Sequence, residues 1–112
     1  MLDARLPAHL EVGAIRRLAE SQGGFATVLA RGEQDAGTIA LVILCRGKPP
    51  VLYERMPQLD GNRPFVRTSE QDAEKEDEFS AFLQKRSVRD PDLWLIEADV
   101  PDIERFVAAL PA

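Results

Sequence analysis

The sequence predicts an α+β fold, with helices packed on a mostly antiparallel sheet. Two observations lead there. Apolar residues recur at helical spacing in three segments. Between them lie short apolar runs bounded by Gly, Pro and Asp, the pattern of strands and turns. The resulting order is αββββαβα, a sheet of about five strands with three helices, in a single domain over residues 1–112.

His9 to Gln22 reads as the first helix, with Leu10, Ala14, Ile15 and Leu18 on one stripe and Glu11, Arg16, Arg17 and Glu20 largely outside it. Gly23-Gly24 closes it, because glycine accepts the left-handed conformation that ends many helices. Phe25–Ala30 and Thr38–Cys45 are strand-like, and the short charged segment Arg31–Gly37 between them predicts a β-hairpin. From Ile39 to Cys45 no polar residue occurs, so this strand is expected to be central and covered on both faces. Either helices pack on each side of it, or a second subunit covers one. Val51–Met56 alternates Val51, Tyr53 and Arg55 against Leu52, Glu54 and Met56 and reads as a third strand. Turns at 46–50 and 57–64 flank it, and Phe65–Arg67 is a short fourth strand placed at an edge by Pro64.

Ser69 reads as the cap of a long helix to about Ser87, with Asp72 as the capping-box acid and Ala73, Phe79, Phe82 and Leu83 as its apolar side. Acids crowd its first half and Lys85 and Arg86 its second, which suits the helix dipole without any ligand. Asp92–Glu97 is the fifth strand. Asp99 then caps a final helix with Pro101 in its first turn and Ile103, Phe106, Val107 and Leu110 buried.

Composition narrows the function. The net charge is -5 and Lys and Arg form no stripe, which argues against nucleic acid despite Arg5, Arg16 and Arg17. The N-terminus has no signal-peptide core, and the longest apolar run is far below the ~20 residues of a membrane helix. The single cysteine, Cys45, reads as a small core residue, and the chain as cytoplasmic. His9, the only histidine, reads as an exposed helix-start residue. A histidine-rich metal site, a Cys/His zinc site and a Ser-His-Asp triad are therefore not expected, nor is a Walker or G-x-G-x-x-G phosphate loop. No metal and no cofactor are predicted.

Carboxylate and arginine chemistry remains. Asp90 and Asp92 flank Pro91, with Glu97 beyond, but a nuclease pattern would need a lysine where Asp99 stands. Alternation also sets Asp92 and Glu97 on opposite faces of one strand. Trp94 reads as a core aromatic whose indole N–H finds one partner, with a pocket wall rimmed by Arg89 and Asp92 as the alternative. Arg31–Gly37 reads as a loop held by side-chain-to-backbone bonds, with an Arg31 anion fork as the alternative. The candidate functional surface is Arg31, Glu33, Asp35, Arg67, Asp90, Asp92 and Trp94. It requires the 31–37 loop to meet the start of the fifth strand.

The segments Arg31-Gly32-Glu33-x-x-Ala36-Gly37, Phe65-Val66-Arg67 and Asp90-Pro91-Asp92-Leu93-Trp94 with Glu97 resemble those of a family of short alphaproteobacterial proteins, the domain of unknown function family 1491. The resemblance runs from the first helix to about Glu97, with Glu33 standing where the family has aspartate. It implies a free-standing bacterial protein and assigns no activity. The expected function is a non-enzymatic binding or interaction module, with a homodimer and an unknown protein or small molecule as its partners. A small enzyme or small-molecule binder using the Arg/carboxylate residues is the alternative, and a nucleic-acid regulator the second alternative.

Overall fold

The computed structural model describes residues 6–70 and 76–111. Its elements are α1 (Ala8–Ser21), β1 (Phe25–Ala30), β2 (Ile39–Leu44), β3 (Val51–Arg55), β4 (Phe65–Glu70), α2 (Glu76–Arg89), β5 (Trp94–Asp99) and α3 (Ile103–Ala109), in the predicted order αββββαβα. They form an α+β fold whose five-stranded sheet has the order β1-β5-β2-β3-β4. The β1–β5, β2–β3 and β3–β4 pairs are antiparallel, and β2–β5 is parallel.

The predicted hairpin between β1 and β2 is not formed, because β5 lies between them. The reason is in the side chains. Both β2 and β5 are apolar on two faces over most of their length, and such strands gain most in the sheet interior. The more alternating β1 tolerates an edge. Pairing β1 directly with β2 would have left β5 outside.

Helices of this one chain cover both faces of β2. On one face α1 and α3 pack Val12, Ile15 and Phe106 against Leu41, Ile43 and Ile96. On the other, Phe79 and Leu83 of α2 pack against Ala40, Val42, Leu52 and Leu95. Of the two ways to bury this strand, the chain uses its own helices.

Three boundaries differ from expectation. Ser69 is not a helix cap but lies in β4 opposite Leu52, because β4 runs on to pair with the whole of β3. The expected capping acid Asp72 and its neighbour Ala73 lie outside the described residues. Asp99 stays in the ladder opposite Phe25 and Leu44, so Asp102 caps α3 instead, its Oδ1 accepting from the Arg105 N–H at 3.1 Å. β5 begins at Trp94, since the Leu93 N–H turns back to the Asp90 carbonyl at 3.1 Å. At the end of α1, Gly23 takes φ 87° and the Gly24 N–H returns to the Ala19 carbonyl at 2.9 Å.

Polar contacts tie α2 to the sheet near its C-terminal end. Arg86 Nη2 lies 2.5 Å from Glu54 Oε1, and Thr68 Oγ1 donates to Glu54 Oε2 at 2.6 Å. Burial pushes the Glu54 carboxyl up, but the hydrogen bonds from Arg86 and Thr68 and the Arg86 charge outweigh it and hold the group below its ordinary value. The folded state therefore binds this proton less readily than the unfolded chain. The resulting stability is present above the ordinary carboxylate range and is lost as pH falls through the lowered folded value. Urea midpoints followed downward through that range are expected to fall less for Glu54→Gln than for the parent.

Candidate functional site

The 31–37 segment is a crossover that carries the chain from β1 over the start of β5 to β2. Backbone bonds fasten it there. Glu33 N–H donates to the Asp92 carbonyl at 2.9 Å, and Trp94 N–H donates to the Thr38 carbonyl at 2.8 Å. The Trp94 indole N–H donates to the Glu33 carbonyl at 2.8 Å, the single partner expected for this core aromatic. Within the loop, Glu33 Oε2 accepts from the N–H groups of Asp35, at 2.9 Å, and Ala36. The segment is thus held by side-chain-to-backbone bonds, as predicted, although it joins no hairpin.

The same loop also caps α1. Pro7 occupies the N-cap and offers no side-chain acceptor. The carbonyls of Asp35 and Gln34 take its place, accepting from Ala8 N–H and His9 N–H at 2.9 Å each. His9, half-buried rather than exposed, adds a contact from Nδ1 to the Gln34 carbonyl at 3.0 Å. Two glycines permit the close approach. A Cβ on Gly32 would overlap the Asp92 carbonyl and lie 2.6 Å from the Leu93 carbonyl carbon. One on Gly37 would meet that same Asp92 oxygen and lie 2.7 Å from the Glu33 oxygen and 2.9 Å from Trp94 Cδ1. The spacing Gly32…Gly37 is therefore set by backbone lying on backbone.

Of the predicted surface, the structure brings Arg31, Glu33, Asp92 and Trp94 together. The Arg31 guanidinium lies 5.7 Å from the Trp94 ring centroid, a cation–π distance. Asp35 is exposed, on the side of the loop that faces α1. Asp90 is half-buried between α2 and β5, its N–H on the Arg86 carbonyl at 3.1 Å. Arg67 is not part of the group. It lies on β4, opposite Tyr53 and three strand spacings from β5, about 14 Å away across the sheet. Among the described residues no group of three or more His, Cys, Asp or Glu is placed to hold a metal ion.

Sequence reasoning missed a buried ion pair below this loop. Glu11, expected on the polar side of α1, is 7% exposed and pairs with Arg55. The Arg55 guanidinium lies 4.1 Å from the Phe65 ring centroid and donates to the carbonyls of Arg63, at 2.5 Å, and Pro111. The signal was the alternation in β3, which puts Arg55 on the same side as the core residue Tyr53. Beside the pair, a cleft of about 350 Å³ opens between Leu6, Ala8, Glu11, Asp35, Gly37 and Arg63.

At the opposite end of the sheet, the face that carries α2 is open on its β1 side. Ala26 and Ala98 point into the α1–α3 core, so Phe25, Thr27, Glu97 and Asp99 point to the other face. Phe25 is 57% and Leu29 47% exposed. Cys45, expected in the core, lies half-buried just past β2, its Sγ 3.6 Å from the Pro101 carbonyl oxygen. With Phe25, Arg46 and Asp99 it lines a cleft of about 330 Å³.

A family model described as a protein of unknown function, DUF1491, matches residues 6–108. No curated protein matches the chain. A crystal structure of a DUF1491 family protein from Caulobacter crescentus CB15 superposes with a TM-score of 0.78 at 27% identity, over 96% of this chain and 98% of that one. An NMR structure of a DUF1491 family protein from the same organism gives 0.75 at 27% identity, over 95% and 94% of the two chains. A solution structure of a protein from A. tumefaciens gives 0.74 at 26% identity, over 96% and 97%.

Proposed function

The chain belongs to the DUF1491 family of unknown function, and we propose that it is a non-enzymatic interaction module of the bacterial cytoplasm. Its docking surface is the β1–β5 half of the sheet face that α2 leaves open. The observation that carries this reading is the exposure of Phe25 and Leu29 on an edge strand that holds no charged residue. The 31–37 loop acts as a structural clamp in this reading. Its Glu33 carboxylate and carbonyl and the Trp94 indole are all engaged within the fold.

Amide shift mapping tests the proposal with synthetic amphipathic helical peptides that share one leucine face and differ in the charge of the other. Shifts concentrated at 25–29 and 95–99 are expected. Shifts confined to other surfaces would overturn it.

One observation favours a second reading, a small-anion site at Arg31. The guanidinium is presented over Trp94 from a loop fastened at both ends, which lowers the cost of ordering it on binding. Trp94 is the only tryptophan, so its fluorescence reports this site. A saturable response to inorganic phosphate or succinate that Arg31→Ala abolishes would favour this reading over the first.

A further inference from the structure

We infer that the partner received on the open β1–β5 face is a protein segment presenting a lysine or arginine among apolar residues, and that Glu97 and Asp99 receive that cation. The inference rests on the interaction-module reading and gives its partner a chemistry.

Glu97 stands on an inner strand, between Thr27 of β1 and Val42 of β2. Asp99 stands two residues on, between Phe25 and Leu44. Both are half-buried. Among the described residues neither carboxylate has a hydrogen-bond or ion-pair partner. Arg46 lines the cleft beside Asp99 without pairing to it. In the free protein, water solvates these two groups. A covering partner removes that water, and a carboxylate buried without a counter-charge is strongly unfavourable.

Charge complementarity therefore selects among occupants. A second copy docked face to face would bring its own Glu97 and Asp99 against these, in a chain whose net charge is already -5. A wholly apolar segment would strand both carboxylates. A segment with one basic side chain flanked by apolar ones answers the charge, and its apolar residues cover the exposed Phe25. Arginine would additionally lie over the exposed Phe25 ring.

The probes are peptides carrying Lys, Gln or Glu opposite a common leucine face, titrated into the labelled protein. The Lys peptide is expected to shift the amides of 25–29 and 95–99. Glu97→Gln with Asp99→Asn should weaken it about tenfold or more, as for a lost interfacial charge pair. Glu104→Gln, an exposed acid on α3, should leave it unchanged. An unaltered spectrum away from the patch confirms that each variant is folded.

If the Gln or Glu peptide binds these amides equally well, or the Lys peptide binds the double variant as tightly as the parent, the cation-receiving role is wrong while the interaction surface stands. Equal weakening by Glu104→Gln would mean diffuse attraction to an acidic protein and would also overturn the inference. Shifts of the same amides on raising protein concentration alone would assign the face to a second copy instead. If no peptide shifts this face, both readings fall.

Discussion

Replacing Arg55 with alanine is expected to destabilise the fold by about 3–5 kcal/mol, the cost of leaving one member of a buried ion pair alone. The Arg55 side chain is 6% exposed and that of Glu11 is 9% exposed, so neither charge regains much water when the other is removed. Arg55 also joins three parts of the chain. It reaches α1 through Glu11, the 57–64 turn through the Arg63 carbonyl, and the C-terminal segment through the Pro111 carbonyl. Glu11→Ala should cost a comparable amount, because the guanidinium packed on the Phe65 ring would lose the carboxylate it is buried against. The decisive variant is the double replacement Glu11→Leu with Arg55→Met. Removing both charges while keeping volume should recover most of the loss, since well-packed apolar groups often match or exceed a buried pair. Urea denaturation of the single and double variants closes the cycle. Strictly additive losses would show that the two side chains act independently.

Trp94→Ala is the second large effect, about 3–5 kcal/mol for deleting a buried aromatic. Trp94 is 3% exposed and belongs to the α1–α3 core, so its removal opens a cavity there. It also releases the Glu33 carbonyl and the Arg31 contact, which loosens the loop that caps α1. Trp94→Phe separates the two roles. It keeps much of the apolar volume and loses the indole hydrogen bond, so a smaller loss of about 1–2 kcal/mol is expected. Amide exchange at Ala8 and His9, whose N–H groups rest on the loop carbonyls, should accelerate in both variants. Protection unchanged at those two amides would detach Trp94 from the capping of α1.

How much of this was legible in the sequence divides along the range of the interactions. Local pattern was sufficient for the element order, for β1 at Phe25–Ala30, and for the family to which the loop and the Asp90–Trp94 segment belong. Pairing partners were not local. Nothing between Phe25 and Cys45 reveals that a strand beginning only at Trp94 inserts between the two, and so the hairpin was the natural expectation. The same ignorance of strand order placed Arg67 with Trp94. The candidate loop fared better, because its glycines and the Asp90-Pro91-Asp92 turn carry the backbone contacts that join them. Ser69 failed as a cap because capping chemistry and ladder pairing compete for the same residue, and the β3 partner decides which prevails. Glu11 escaped notice because a buried carboxylate is legible only together with its cation, here 44 positions away.

The insertion of β5 also has a consequence for how the protein is made. As the chain leaves the ribosome, β1 and β2 emerge early, yet each must wait for the same late neighbour. β2, β3 and β4 can form an antiparallel meander from the nascent chain alone. β1 has no place to pair until Trp94–Asp99 has cleared the exit tunnel, and the α1–α3 core closes only after Phe106 follows. During that interval the uncharged β1 and the β5-facing edge of β2 are unpaired together, so the time between the emergence of β2 and that of β5 is the stage at which this chain most needs protection from its neighbours.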